Sequence, residues 1–217
     1  MSGSESLPIL IGQFDSPFVR RVAVTLGLYQ LPFEHRNWSV FRDADKIAAF
    51  NPMRRVPVLV LPSGEVLVES AAIVDYLDER VSEDRVLVPR SGEARRRVLR
   101  VCAQAFSLAD KGVALVYENV AREAGKQSAR WSERCRLQVA ETLTAFEQER
   151  AAIASTWWLG ERLTHADLAL GIVLHFLEQG VPELVSELAL PTLRENEQRC
   201  RELRPFVDYD APLHFPK

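Results

Sequence analysis

Three short stretches of this sequence combine residue types that could hold a small polar ligand. The first is "DSPF", in which Ser16 and Pro17 precede an apolar stripe at helical spacing. Pro17 suits the first helical position because the N–H it lacks would have had no helical partner there. Ser16 would then cap the helix. Its hydroxyl could also face a substrate, and the pattern leaves both roles open.

The second stretch is Val56 and Pro57, at the start of the strand-like run "VPVLVL". Proline cannot donate to a strand ladder, so Pro57 is expected at a sheet edge or in an unusual peptide geometry. A cis bond would turn the Val56 backbone outward, where its N–H and C=O could pair with an extended peptide as if with another strand. An ordinary edge-strand proline is the simpler alternative.

The third stretch is "VESAAIVDYL", where a strand pattern gives way to a helix pattern at Glu69 and Ser70. Ser70 can cap that helix, whose free N–H groups and dipole favour an anion such as a carboxylate. Glu69 would offer a negative partner to an amine. The pair could therefore hold an amino-acid zwitterion, although plain capping explains Ser70 when it is taken alone.

The elements that must position these residues follow from the hydrophobic patterning. Residues 1–80 predict the order strand, helix, strand, helix, strand, strand, helix, with a hairpin turn at Pro62 and Gly64. This order predicts a small sheet that is parallel at first and ends in an antiparallel hairpin, with helices on its faces. Residues 93–217 carry only helical patterns, so we expect an all-helical second domain after a linker at residues 81–92.

Composition excludes several classes of function. A formal charge of −3 over 217 residues leaves no broad basic field for nucleic acid. The start "MSGSESLPIL" is unlike a signal peptide, and no apolar run is long enough to span a membrane, so we expect a cytoplasmic protein without a membrane partner. No residues have metal-ligand spacing, so no metal is expected. The cysteines are too far apart for a redox pair and are predicted to be reduced thiols in helices: Cys102, Cys135 and Cys200.

Taken together, the motifs resemble the glutathione transferase superfamily over nearly the whole chain. In the first half the matching pieces are residues 16–21, the segment "NPMRRVPVL" and the pair Glu69 and Ser70. In the second half, "WWLGERLTHADLAL" at residues 157–170 is similar to that family's aromatic-Leu-x-Gly loop and capped helix. The resemblance implies an α/β thioredoxin-like N-terminal domain (βαβαββα) followed by an all-α helical domain.

The resemblance also implies glutathione as a co-substrate. Val56, before a cis Pro57, would pair with the cysteinyl backbone of glutathione, while Glu69 and Ser70 would hold its γ-glutamyl end. Two arginines lie about where related enzymes contact the glycyl carboxylate, and each could equally lie on a solvated face: Arg42 and Arg55.

Ser16 lies where the serine-type and cysteine-type branches of the family carry the residue that meets the glutathione sulfur. A hydroxyl beside the positive end of a helix dipole favours a thiolate over a thiol. Serine at this position argues against a mixed disulfide on the protein. Conjugation to a small apolar electrophile is therefore favoured, with isomerisation, dehalogenation or disulfide reduction as alternatives on the same site.

The remaining implications concern the second substrate and assembly. Four aromatic residues are candidates for an apolar wall near the sulfur: Phe14, Phe18, Phe106 and Tyr117. The helical domain would contribute most of that pocket. The resemblance further implies a homodimer and a role in detoxification, and a non-catalytic protein-binding relative is the alternative from another class.

Thr164 and Asp167 form a pattern that we interpret as structural. Thr-x-x-Asp ahead of the apolar run "LALGIVLHFL" is a capping-box arrangement, in which each side chain bonds the other residue's backbone N–H. Its loss should lower stability and leave the chemistry unchanged.

Overall fold

The computed structural model describes residues 6–214, which divide into two compact units. The first unit contains the chain up to Val86 together with Arg204–Ala211, and the second contains Leu87–Leu203 and the chain from Pro212. A short C-terminal segment therefore returns to the first unit. Residues 1–5, on which the expectation of no signal peptide partly depends, lie outside the described residues.

The first unit has the predicted βαβαββα order. Its elements are β1 (Ile9–Ile11), α1 (Pro17–Tyr29), β2 (Glu34–Arg36), α2 (Ala44–Ala48), β3 (Val58–Val60), β4 (Val66–Val68) and α3 (Ser70–Glu79). The sheet order is β2-β1-β3-β4, in which β1 and β2 are parallel and the pairs β1–β3 and β3–β4 are antiparallel. This is the thioredoxin-like arrangement expected from the sequence.

Sheet register explains how distant segments come together. Ile11 at the end of β1 lies opposite Val58 at the start of β3, and Val58 in turn lies opposite Val68 at the end of β4. Ile11 and Val58 are fully buried and share a core cluster with Ile47 of α2. The chain after β1, before β3 and after β4 must therefore meet at one edge of the sheet.

The second unit is helical throughout its regular elements. These are α4 (Gly92–Val120), α5 (Ala129–Ala151), α6 (His165–Gly180), α7 (Pro182–Ser186) and α8 (Pro191–Arg201). Most of α6 is buried, and the predicted capping box is present at its start. Within residues 6–214, no helix has the length and apolar character needed to cross a membrane.

The C-terminal segment lies in a different unit from the one expected. The sequence assigns all of residues 93–217 to the second domain, but Arg204–Asp208 form a short helix, α9, that belongs to the first unit. Its Phe206 is fully buried, and the Phe206 carbonyl accepts a hydrogen bond of 2.8 Å from Nη2 of Arg20. The Arg20 guanidinium also lies 4.4 Å from the centroid of the Phe206 ring. A five-residue helix is too short to show periodicity, so only these tertiary contacts reveal it.

Candidate ligand-binding site of the first unit

The turn after β1 approaches the segment before β3 so closely that only glycine fits at position 12. A Cβ atom there would lie 2.8 Å from Cβ of Val56 and 2.6 Å from Cγ2 of Val19. Gly12 also has a φ of +131°, which side-chain-bearing residues rarely adopt. The backbone that leads to Ser16 is thus in direct contact with Val56.

Ser16 is the N-cap of α1, as predicted. Its Oγ accepts from the Val19 N–H at 3.5 Å, which is long for a hydrogen bond, and its carbonyl accepts from the Arg20 N–H at 2.9 Å. Because a hydroxyl has two lone pairs and one proton, accepting from the helix leaves the Ser16 O–H free to donate to another group. Capping and ligand contact are therefore compatible.

An aromatic stack supports the turn that carries Ser16. The Phe14 ring lies parallel to the His35 ring, with centroids 3.9 Å apart, and His35 Nε2 is 2.8 Å from the Gly12 carbonyl oxygen. Tyr209, from the C-terminal segment of the same unit, packs against Phe14 at 5.2 Å. Burial raises the pKa of Tyr209, and the neighbouring Asp208 charge adds to this effect. Phe14 thus fixes the turn, whatever its role toward a second substrate.

The Val56–Pro57 peptide bond is cis, as the family resemblance implies, and the simpler alternative of an ordinary edge-strand proline is wrong. Pro57 is buried and Val56 is half-buried, and among residues 6–214 neither the N–H nor the carbonyl of Val56 has a hydrogen-bond partner. The side chain of Asn51 holds the preceding loop, because its Nδ2 donates to the Arg55 carbonyl at 3.0 Å and its Oδ1 accepts from the Met53 N–H at 3.1 Å. β3 lies between β1 and β4, so Pro57 is not at a lateral edge of the sheet. The segment before β3 presents an unpaired backbone beyond the end of the sheet where β1 and β4 also end.

Glu69 and Ser70 differ from the expected capping arrangement. Ser70 is the first residue of α3, and Glu69 holds the N-cap position without a side-chain hydrogen bond to the helix. Glu69 has φ 66° and ψ 121°, a costly conformation for a residue with a side chain, and its side chain is exposed. The Ser70 hydroxyl is buried and accepts from Nη1 of Arg21 at 3.4 Å. The prediction that Ser70 caps α3 is therefore wrong by one position.

The two predicted arginines lie in different surroundings. The Arg55 guanidinium lies 5.9 Å from the centroid of the Phe18 ring, next to the start of α1. Arg42 is exposed in the turn before α2, where its N–H donates to Ser39 Oγ at 3.5 Å. Among the contacts found within residues 6–214, none joins Arg42 to the other predicted site residues. The structure thus groups Arg55, but not Arg42, with the start of α1.

Two of the four aromatic residues predicted to line a second-substrate pocket belong to the second unit. Phe106 and Tyr117 both lie on α4, where Phe106 is buried and Tyr117 is 39% exposed. Their contribution to a second-substrate pocket stays a prediction.

In the described part of the chain, no feature supports a reactive cysteine thiol or a metal site. Its three cysteines are buried in helices of the second unit, and burial raises the pKa of the Cys135 thiol, which opposes thiolate formation. No group of three or more His, Cys, Asp or Glu side chains in residues 6–214 is arranged to hold a metal ion.

Three residues that support the candidate site are not predicted from the sequence: Arg21, His35 and Asn51. Arg21 is 4% exposed and bonds Ser70, yet the only signal in the sequence is an arginine beside the apolar stripe of α1. The sequence pattern predicts only that a helix ends at Asn51. Its hydrogen bonds to the next loop depend on the tertiary structure.

A comparison with known families finds a match in the part of the chain that holds the candidate site. Residues 10–85 match the family model for the N-terminal domain of glutathione S-transferases. An Escherichia coli K12 protein described as the uncharacterized GST-like protein YibF is 34% identical over 119 residues, 55% of this chain. The match spans 58% of the length of that relative, which is less than two thirds.

Two longer matches cover both units. A probable maleylacetoacetate isomerase of Caenorhabditis elegans is 28% identical over 172 residues, 77% of each chain. A crystal structure of a glutathione S-transferase from Methylobacillus flagellatus with GSH bound has a TM-score of 0.87 at 28% identity. That match covers 95% of this chain and 100% of the other.

Proposed function

Because the chain belongs to the glutathione S-transferase superfamily, we propose that its first unit binds glutathione and activates the thiol for attack on a small apolar electrophile. One observation carries the proposal. The capped start of α1, the unpaired Val56 backbone and the Glu69–Ser70 corner converge on one edge of the sheet. A tripeptide has complementary groups for all three.

Each part of glutathione has a partner in this arrangement. The cysteinyl N–H and C=O pair with the Val56 backbone just before β3, as two extended strands pair. The ligand amine faces the exposed Glu69 carboxylate, and the glutamyl α-carboxylate faces Ser70 and the first N–H groups of α3. These contacts leave the cysteinyl sulfur directed to the start of α1.

Ser16 acts on the sulfur without ionising. Its O–H donates to the thiolate, and the positive end of the α1 dipole adds to the stabilisation. Lowering a thiol pKa by about two units takes about 2.7 kcal/mol of differential stabilisation and makes the thiolate the main species at neutral pH. The thiolate then forms a C–S bond with the electrophilic carbon, and the leaving group departs with its electron pair.

The proposal also concerns the glycyl end of glutathione, the second substrate, and the location and assembly of the protein. We further propose that the glycyl carboxylate binds Arg55, which lies next to the start of α1, and Arg42, which is exposed in the turn before α2. The second substrate contacts an apolar wall drawn from Phe14, Phe18, Phe106 and Tyr117. We assign the protein to the cytoplasm as a homodimer that acts in detoxification.

Isomerisation is the second candidate, and one observation favours it. The Caenorhabditis elegans relative that matches 77% of this chain is described as a probable maleylacetoacetate isomerase. In an isomerisation the same thiolate adds to a carbon–carbon double bond, rotation follows, and the thiolate leaves again. Turnover without loss of glutathione would distinguish this reaction from conjugation, which consumes one glutathione per product.

Thermal unfolding with added ligand tests glutathione binding. At about 100 times the Kd, a ligand that binds only the folded state adds about 2.7 kcal/mol to the free energy of unfolding. We expect glutathione and S-hexylglutathione each to raise the Tm. Glu69→Lys should abolish the effect by repelling the ligand amine, whereas Glu65→Lys, which makes the same charge change on the exposed hairpin turn, should retain it. An unchanged Tm for the wild-type protein contradicts the proposal.

A further inference from the structure

The turn between β1 and α1 takes its shape partly from contacts with other segments. Within the turn, the Ser16 N–H donates to the Gln13 carbonyl at 3.2 Å. At its start, both backbone polar groups of Gly12 meet the end of β2. The Gly12 N–H donates to the Arg36 carbonyl at 3.0 Å, and the Gly12 carbonyl oxygen lies 2.8 Å from Nε2 of His35. β2 therefore holds the residue from which the turn begins.

The hydrogen bond between His35 and Gly12 has a defined direction. A carbonyl oxygen can only accept, so Nε2 of His35 must carry a proton and donate it. This N–H group is present in one tautomer of the neutral ring and also in the protonated ring. The bond is therefore compatible with either charge state of His35. A single side chain on the outer strand β2 thus holds the start of the turn.

The same imidazole ring also holds the middle of the turn. It stacks on the Phe14 ring with centroids 3.9 Å apart and an interplanar angle of 8°. Tyr209 packs against Phe14 as well, with ring centroids 5.2 Å apart. Tyr209 is itself packed closely on α1, because its Cε2 lies 2.9 Å from the position that a Cβ of Gly27 would occupy. Phe14 is thus held by one side chain of β2 and by another that packs on α1.

The position of the Ser16 hydroxyl depends on these contacts, because Ser16 follows Phe14 by two residues. The turn is also tight against the segment before β3, where a Cβ at position 12 would lie 2.8 Å from Cβ of Val56. A hydrogen bond weakens steeply when its donor is misaligned, and a displacement of about 1 Å in a reactive group can cost about 100-fold in rate. A residue that holds this turn can therefore alter the thiol pKa without touching the ligand.

We propose that His35 is a positioning residue for thiol activation: by bonding Gly12 and stacking on Phe14, it holds the Ser16 hydroxyl where it can donate to the glutathione sulfur. The inference rests on the proposed function, because it deepens the account of how Ser16 stabilises the thiolate. His35 acts through Ser16 and contacts neither the sulfur nor the second substrate.

Ultraviolet titration of the thiol at saturating glutathione measures this role. In His35→Ala the pKa of the bound thiol should rise by about one unit from the wild-type value, which is a tenfold lower ratio of thiolate to thiol. His35→Phe keeps a ring for the stack and removes the donor, so it should also raise this pKa. His35→Gln has an amide donor that can reach the Gly12 carbonyl and should restore part of the shift.

Calorimetry with S-hexylglutathione separates activation of the thiol from binding of the peptide. This ligand has no ionisable thiol and keeps the groups that meet Val56, Glu69 and Ser70. Its affinity for each His35 variant should stay within about twofold of the wild-type value. A merely structural role for His35 would lower the Tm and leave the thiol pKa unchanged.

Two further variants serve as controls. In Ser16→Ala, adding His35→Ala should cause no further rise in the thiol pKa, because the hydroxyl that His35 positions is absent. Glu34, like His35, is exposed on β2, but it lies at the other end of the strand. Glu34→Ala should therefore keep the wild-type thiol pKa.

A wild-type thiol pKa in His35→Ala or in His35→Phe overturns the inference, as does an equal further rise in the Ser16→Ala background. His35→Phe keeps the test decisive if His35→Ala does not fold, because it retains the stacked ring. These outcomes leave the proposed function standing. An unshifted thiol pKa in the wild-type complex, or a wild-type protein that does not bind glutathione, contradicts the proposed function as well.

Discussion

At Ser16, a single hydroxyl can serve the fold and the chemistry at once. Its oxygen accepts from the Val19 N–H and its proton remains available to a ligand. The serine is recognisable in the sequence because Ser-Pro before an apolar stripe is a local helix-start signal. Arg21 is not recognisable in this way, since its role depends on Ser70, 49 residues further along the chain.

Glu69 has a strained backbone just before α3, where we propose that the ligand amine binds. Its φ of 66° costs about 1–3 kcal/mol for a residue with a side chain. We expect Glu69→Gly to raise the free energy of unfolding by about 1 kcal/mol, because glycine relieves this strain. Glutathione affinity should fall at the same time, since the carboxylate is lost.

Urea unfolding and calorimetry on the same preparations would measure both effects. Glu69→Gln, which keeps the strain and removes the charge, is the control and should lower affinity without added stability. A Glu69→Gly variant that is less stable than the wild-type protein would refute the strain argument.

At the scale of the element, the capping box of α6 is held more extensively than its sequence pattern indicates. Asp167 accepts from the Thr164 N–H and hydroxyl, each at 2.8 Å, and also from the Trp158 N–H at 2.6 Å. The contacts within the box follow from Thr-x-x-Asp, whereas the contact with the Trp158 loop requires the tertiary structure. The box therefore joins the loop at residues 157–160 to the start of the most buried helix.

Asp167→Ala should lower the free energy of unfolding by about 2 kcal/mol or more, because it leaves buried donors without an acceptor. Chemical denaturation would measure the loss. Glu133→Ala, which removes an exposed carboxylate from α5, should change stability by less than about 0.5 kcal/mol. Equal stability of the two variants would show that the box contributes nothing to the fold.

The Asp167 carboxyl makes the free energy of unfolding depend on pH, in a direction that its pKa shift determines. Burial raises the pKa of Asp167 above its usual value of 3.8, because desolvation outweighs its hydrogen bonds. The folded state thus binds this proton more tightly than the unfolded state, and the resulting stability is present below about pH 3.8 and is lost as pH rises through the folded pKa. The stability of the wild-type protein relative to Asp167→Asn should therefore fall between acidic and neutral pH. A difference that rises with pH would contradict this sign.

At the scale of the whole molecule, the chain returns from the second unit to complete the first. The Arg20–Phe206 hydrogen bond joins residues separated by 186 positions. Local signals are sufficient to predict the βαβαββα order and the long helices, because each carries its own periodicity and turn residues. No local signal predicts the return of Arg204–Ala211, which depends on a buried arginine and one aromatic ring.

Phe206→Ala should therefore destabilise the first unit, although Phe206 lies near the C-terminus. Phe206 is fully buried, and loss of a buried phenylalanine side chain costs about 3–5 kcal/mol. Hydrogen exchange should show loss of protection in α1 and the sheet. The neighbouring Val207→Ala is the control, because Val207 is 52% exposed and its loss should have little effect. Equal protection in the two variants would contradict the assignment of this segment to the first unit.

The thiol pKa of bound glutathione shows whether Ser16 stabilises the thiolate. Ultraviolet absorbance of the thiolate, followed against pH at saturating ligand, should give a pKa about two units below that of free glutathione for the wild-type protein. Ser16→Ala should bind glutathione with a thiol pKa shifted back toward the free value, because only the contribution of the α1 dipole remains, and its stability should be lower by about 1 kcal/mol from the lost cap. Ser63→Ala, on the exposed hairpin turn, should match the wild-type protein. An unshifted pKa in the wild-type complex, or the same lowered pKa in Ser16→Ala, would contradict thiolate stabilisation by Ser16.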